Sequence, residues 1–387
     1  MHRRVLIVGG GVIGSAAAYF LAHEFGQQPL VVEKDAAYRT ASSALSASSI
    51  RQQFSTEINI RLSQHSLAFL RRIGVELAVD RDVPQIGLTE RGYLYLATPT
   101  RLTALRANND VQVRCGADVA LLDKADLRTR FPWLEVDDLG GASLGLSGEG
   151  WFDGYGVLQA FRRKAITLGA RFVTNEVREI TTNGSTVHAV LQDGDRVEAD
   201  SLLLAAGAWT APLAAQLGFD LPVSPRKRDV FVFESPATLP GCPLVIDPRG
   251  FWFRPEGRGF IGGAPPRGED VDGAPLDQID HGLFDEVIWP ALAARIPQFE
   301  ALRVTGAWAG YYEYNRFDQN GLVGRVPGHE HAFIACGFSG HGMQQAPAVG
   351  RAIAELIATD EYRTLDLAPL SLARIAANAP LVERNVI

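Results

Sequence analysis

Two glycine-rich stretches, at opposite ends of the chain, carry its first chemical information. The first, VLIVGGGVIGSAAAYFLA, sets Gly9, Gly11 and Gly14 in a GxGxxG spacing between an apolar run at residues 4–8 and an Ala-rich helical run. In such a turn the first glycine permits the reversal, the second lets backbone approach a pyrophosphate, and the third lets helix and strand pack closely. Val12 and Ile13 open a helix whose unpaired N–H groups and partial positive charge suit phosphate. The next apolar run, PLVVEK, ends at Glu33 and Lys34. An acidic residue about 20 positions beyond the glycines can accept hydrogen bonds from ribose hydroxyls. This is a dinucleotide site, but the spacing does not choose between NAD and FAD. The second stretch, GFSGHGMQQAPAVG, runs from Gly337 to Gly350. It reads as a strand end, a turn through Gly340, His341 and Gly342, and a helix start at Met343 and Gln344. NAD needs only the first stretch, which leaves the second unexplained.

The chain has 387 residues, enough for two domains, and its 47% hydrophobic and 21% charged content describe a globular protein with a large core. A net charge of −7 argues against nucleic acid as the main partner. Cys115, Cys242 and Cys336 are widely separated, forming neither a disulfide framework nor a metal-spaced cluster, which suits a reducing compartment. The start MHRRVLIVGGG imitates a signal peptide, but glycines interrupt its apolar run and an amphipathic helical pattern continues to Glu24. No apolar run is long enough to span a bilayer. A soluble, cytoplasmic protein is expected, with peripheral membrane contact left open.

Behind these turns lie the elements that must position them. A Ser-rich loop, YRTASSALSASSIRQQFS, follows Glu33. Residues 57–73 show helical periodicity, 92–97 read as a strand, 124–131 as a short helix and 156–168 as a longer one. After a strand at 171–174, Asn183-Gly184 and Asp193-Gly194 punctuate alternating runs as a β-meander. SLLLAAGAW is another buried strand that ends in a small-residue turn, and HAFIACG leads into the second glycine stretch. This nucleotide-binding texture occurs three times, interrupted twice by β-rich segments. The expected fold is α/β: a Rossmann-type dinucleotide-binding domain of residues 1–85, 150–218 and 318–387, interleaved with a β-rich α+β substrate domain of residues 86–149 and 219–317.

GGGVIG with Glu33, LLLAAGAW and GFSGHGMQQ occur in an order that resembles the FAD-dependent amine and amino-acid oxidoreductases of the D-amino-acid oxidase, glycine oxidase and sarcosine oxidase type. The resemblance covers essentially the whole chain. ASSIRQQFSTEINIRLS, GWFD, FWFRPEGRGF and GYYEYNRFDQNGLVG are most similar to a branch of FAD-dependent oxidoreductase domain-containing proteins that assist respiratory complex I assembly. The resemblance implies FAD stretched between both glycine turns, with the flavin's pyrimidine edge at Gly340–Gln344. It places Ser42, Ser43, Ser48, Ser49 and Arg51 along the pyrophosphate and flavin, and Val177 at the adenine. Ala206 and Gly207 leave room for the cofactor, and Trp209 borders the flavin. Substrate contacts would come from Trp252, Arg254, Tyr312 and Tyr314, with Arg51, Tyr312 and His341 as the candidate catalytic residues. His341, between two glycines, is expected to act through its backbone rather than as a general base. The basic run Arg226-Lys227-Arg228 reads most simply as a solvated strand edge, though dehydrogenases similar to this chain place such residues near the pocket.

The chain departs from these relatives in ways that bear on the chemistry. Gln344 stands where sarcosine oxidase-like enzymes have a carboxylate-binding lysine, and Phe54 replaces an arginine. Gly310 occupies the flavin-attachment cysteine position, implying noncovalent FAD. RGFIGGAPP has Ile261 and Gly262 where oxidases carry an oxygen-activating lysine. The expected function is oxidation of a C–N bond in an amino acid or secondary amine by hydride transfer to flavin N5. The enzyme would be a dehydrogenase that passes electrons to a quinone or carrier protein. A flavoprotein assembly factor with structural FAD and an FAD-dependent 2-hydroxyacid dehydrogenase are the alternatives.

Overall fold

A computed structural model of the chain describes residues 3–184 and 186–385. The apolar runs Val5–Val8, Leu30–Glu33, Arg171–Thr174, Ser201–Leu204 and Ala332–Cys336 pair in parallel, and Leu322–Arg325 adds antiparallel at one edge. Val5–Val8 is central, with Leu6 opposite both Leu30 and Leu202. The order of the parallel strands reverses there, and in open α/β sheets ligands settle in the crevice beyond such a reversal. Four consecutive buried residues in Val5–Val8 and in Ser201–Leu204 fit strands covered on both faces.

One face of this sheet is covered by the helices Val12–Phe25, Gly154–Thr167 and Gly342–Thr359. The first is not the amphipathic helix expected from its pattern. Val12 to Ala22 are all buried because the other two helices flank it. The crossing with Gly342–Thr359 is close: a Cβ on Gly350 would lie 2.5 Å from the Cβ of Ala16. Small residues at this point let the two helices, each opening at a glycine turn, share one layer. The other face carries the antiparallel meander Val177–Asn183, Thr186–Leu191 and Arg196–Ala199.

The second sheet has eight strands, drawn from residues 93–145 and 223–315. Its core joins Phe231, Phe233, Phe253 and Phe260 to Phe284 and Phe299 beneath the helical segment after His281. Arg226, Lys227 and Arg228 pair on one side with the strand Arg303–Asn315, while Gly259–Gly263 reaches only Val230–Phe233 on the other, so the run does lie on a local edge. It is not solvated, because the three side chains are partly buried against Asp229, Asp270 and Asp272. The helix expected at 57–73 ends earlier: it spans Glu57–Leu70, and a separate turn forms at Ile73–Glu76. Among the described residues no helix is long and apolar enough to cross a membrane.

Candidate active site

The central strand Val5–Val8 ends at Gly9, whose φ of +101° is open chiefly to glycine. A Cβ there would sit 2.4 Å from the Ala205 carbonyl oxygen, where the Ser201–Leu204 strand ends. A Cβ on Gly14 would lie 1.9 Å from the Gly9 carbonyl, so this position is filled by backbone packing. Gly11 differs, because its Cβ would meet only Ser43 Oγ, at 3.2 Å. The open space in front of the helix N-terminus is therefore at Gly11. The Glu33 carboxylate accepts the Gly10 N–H at 2.8 Å and the Asp35 N–H at 2.9 Å. It braces the glycine turn and also lines the cavity beyond it. Ser43 Oγ accepts the Val12 N–H at 3.0 Å, leaving its own hydrogen free to point outward.

That cavity measures about 430 Å³ and runs between the two sheets. Gly9, Gly11, Val12, Ile13, Glu33, Lys34 and Val177 line it, with Ala206, Gly207 and Trp209 along its course. The loop residues Ser42, Ser43, Ser48, Ser49 and Arg51 form one wall, and Gly340, His341, Gly342, Met343 and Gln344 another. The Lys34 ammonium sits 3.5 Å from the centre of the Trp209 ring, and burial lowers its pKa. Tyr93, Arg228, Trp252 and Tyr312 line the same cavity from the β-rich sheet. Four buried polar atoms of residues in its wall, Tyr38 Oη, Ser42 Oγ, Asp229 Oδ1 and His341 Nε2, have no hydrogen-bond partner among the described residues. Buried polar groups are rarely left so, which fits a wall built to receive a polar ligand. The open space at Gly11, the helix N-terminus behind it and these orphaned atoms suit the pyrophosphate and heterocycle of a dinucleotide.

Three candidates, Arg254, Tyr314 and Gly14, do not reach the cavity wall. Arg254 Nη2 donates to Ala47 O at 2.7 Å, and the guanidinium also pairs with Glu256 and lies 5.3 Å from the Trp151 ring. It supports the serine loop from behind. Tyr314 lies one pleat beyond Tyr312, about 7 Å further along the strand. There its hydroxyl accepts from Gln319 Nε2 at 2.8 Å. Gly14 is also outside the wall, consistent with its packing role.

Arg51 is buried, and it is tied more tightly than a loop arginine would suggest. Nη1 donates to Gln53 O at 2.7 Å, Nη2 donates to Asn385 O, and the guanidinium lies 3.9 Å from the Phe54 ring centre. Phe54 thus stands beneath the remaining arginine as an aromatic platform. Gln344 supplies no replacement cation. Its Oε1 accepts the Arg51 backbone N–H at 2.8 Å, joining the serine loop to the second glycine turn. His341 is buried, and desolvation, aided by the Arg51 charge, pushes its pKa well below the ordinary imidazole value. It stays neutral at physiological pH. A Cβ on Gly310 would fall 3.0 Å from that of Leu45, so a larger residue there would crowd the serine loop.

Sequence reasoning missed Glu313 and Tyr93. Glu313 was visible as a lone acid in the aromatic strand GYYEYNR, yet its carboxyl lines the cavity beside the second glycine turn. Burial pushes its pKa up to about 7. Tyr93 carried no local signal; its hydroxyl donates to Ser49 Oγ across 44 residues.

The family model described as FAD dependent oxidoreductase (DAO) matches residues 4–356. The chain belongs to this family, and FAD is its cofactor. FAD-dependent oxidoreductase domain-containing protein 1 of Xenopus laevis is 42% identical over 99% of the chain and 84% of its own length. Glycine oxidase of Geobacillus kaustophilus is 28% identical over 96% of both chains. The crystal structure of L-proline dehydrogenase from P. horikoshii superposes with a TM-score of 0.85 at 26% identity, covering 98% of this chain and 99% of that one. The crystal structure of the Geobacillus glycine oxidase follows at 0.83, again at 26% identity, covering 96% and 99%. The family assignment accounts for a DAO-type α/β fold with two glycine turns on one cavity.

Proposed function

We propose that this member of the DAO family oxidises a C–N bond of an amino acid or secondary amine, as a dehydrogenase. The observation that carries the reading is that Arg51, Arg228, Tyr93, Trp252 and Tyr312 all line the cavity, with the Arg228 guanidinium 5.2 Å from the Tyr312 ring centre. Aromatic walls with two guanidinium groups suit a small zwitterion, the rings covering its carbon frame and the cations attracting its carboxylate. The similarity to proteins named glycine oxidase and L-proline dehydrogenase supports the same donor class.

FAD supplies the two-electron acceptor; the chain's own residues hold, orient and dry the donor. Arg228 is fixed by a bidentate pair with Asp270, at 3.0 and 2.9 Å, and lies 5.2 Å from the Tyr312 ring centre. It presents a preorganised positive face above that tyrosine. Neutral His341 adds no competing charge beside Arg51. The amine must arrive, or become, unprotonated for its lone pair to assist loss of the neighbouring hydrogen.

The choice of dehydrogenase over oxidase rests on the strand Gly259–Gly263. Ile261 is buried there, and Ala264 and Pro265 continue into the cavity wall. Arg267 is engaged by Asp280 and Glu286, and Arg258 is exposed. No fixed cation on that strand favours the anion that develops when oxygen is reduced. The test is anaerobic mixing of FAD-loaded protein with amino acids, N-alkyl amines and 2-hydroxyacids while the flavin absorbance is followed. Bleaching by an amine, with slow reoxidation in air and fast reoxidation by a quinone, is the expected result. Bleaching only by hydroxyacids, or by no donor, would overturn the amine reading.

A further inference from the structure

Glu313 is an acidic side chain on the strand Arg303–Asn315, at the point where that strand passes between two glycine turns. Its Oε2 lies 3.7 Å from where a Cβ of Gly207 would stand, and its Oε1 lies 3.1 Å from that of Gly342. The carboxyl therefore sits between the turn that ends Ser201–Leu204 and the turn that opens Gly342–Thr359. It forms no ion pair among the described residues; only the Gly337 and Phe338 amides face it, and burial dominates its proton affinity. A carboxyl placed in a cavity wall without a cation is costly unless hydroxyl or amide donors reach it. The two amides leave part of its acceptor capacity unfilled, and the cavity is the side from which further donors can reach it.

FAD is a linear molecule: adenosine, pyrophosphate, a polyol chain of hydroxyls, then the isoalloxazine ring. With the pyrophosphate in the open space in front of Gly11 and the positive end of its helix, the next segment along the cavity is the polyol. Its hydroxyls are the donors that a carboxylate accepts in short, charge-assisted bonds. We propose that Glu313 is a cofactor-binding residue whose carboxylate accepts hydrogen bonds from the polyol hydroxyls of FAD. The assignment uses the pyrophosphate position at Gly11 and is independent of which donor the enzyme oxidises.

The test compares Glu313→Gln and Glu313→Leu with the unsubstituted protein in equilibrium titrations of apoprotein with FAD, with ADP and with an FAD analogue deoxygenated along the polyol. Loss of charge-assisted hydrogen bonds should weaken FAD binding about tenfold to a hundredfold in Glu313→Leu. Glu313→Gln keeps one acceptor oxygen and should fall between. ADP lacks the polyol, so its affinity should hold within about twofold in every variant. The deoxygenated analogue should bind the unsubstituted protein as weakly as FAD binds Glu313→Leu, and should lose nothing further in that variant. Unchanged FAD affinity in both variants would overturn the assignment. So would an equal loss for ADP, which would mark general damage to the fold, or an analogue that still discriminates the two proteins. A failure at Gly11 would show in ADP binding itself, so it would not be mistaken for a failure at Glu313.

Discussion

Gly11→Ala and Gly14→Ala add the same methyl group three residues apart, and the structure assigns them opposite consequences. At Gly11 the backbone is ordinary, with φ −61° and ψ −175°, and the new carbon meets only Ser43 Oγ at 3.2 Å. Alanine is a poorer N-cap than glycine by roughly 0.5–1 kcal/mol. It also removes unfolded-state freedom worth about 0.4–1 kcal/mol. The two effects nearly cancel, so the apoprotein should keep its stability within about 1 kcal/mol. The methyl nevertheless occupies the space through which a pyrophosphate must approach, and FAD binding should weaken at least about a hundredfold, roughly 2.7 kcal/mol. At Gly14 the methyl would lie 1.9 Å from the Gly9 carbonyl oxygen, a backbone atom with no rotamer to change. Helix and strand must separate, at a cost of about 3 kcal/mol or more. Urea unfolding of both apoproteins, with FAD titration followed by flavin fluorescence, reads the two quantities separately. A Gly11→Ala protein that binds FAD within threefold of the original would refute the pyrophosphate position. One destabilised as strongly as Gly14→Ala would refute the claim that the two glycines serve different ends.

Two further outcomes follow from buried charges. Glu149 is fully buried; despite bonds from the Gln52 and Gln53 N–H groups and Gln53 Nε2, burial pushes its pKa up to about 7 from 4.5. An acid with a raised folded-state pKa stabilises the fold while protonated, and this contribution is lost as pH rises from about 4.5 through 7. The loss amounts to roughly 3 kcal/mol. Glu149→Gln should flatten the pH profile of apoprotein stability across that window; an unchanged slope on chemical denaturation would count against it. Arg295 pairs with Asp247 at 2.6 Å, both side chains fully buried, and also reaches Asp138 at 2.7 Å. Arg295→Met should cost about 3–5 kcal/mol by stranding Asp247, and adding Asp247→Asn should restore part of it. A single-variant loss below about 1 kcal/mol would show that the pair is not desolvated as described.

Local devices are legible in the residues alone. Gly9 and Gly14 are legible because positive φ and backbone-to-backbone contact admit only one residue type, whatever lies farther off. The buried strands read as apolar runs and the meander as turns at Asn183-Gly184 and Asp193-Gly194, since period and turn chemistry are properties of a few neighbouring residues. What those devices enclose depends on long-range packing. Tyr312 and Tyr314 are indistinguishable as alternating aromatics, and only the strand's path past the cavity admits one and leaves the other outside. Arg51 looked free to meet phosphate until Asn385, 334 residues away, and Phe54 were found holding its guanidinium. Gln344 read as a missing lysine, yet its oxygen fastens the serine loop across 293 residues. The Glu313 carboxyl acquired its meaning from two turns, at Gly207 and Gly342, that approach it only when the sheets are assembled. Side-chain direction, desolvation and hydrogen-bond partners are set by such long-range neighbours, and no local pattern in the chain encodes them.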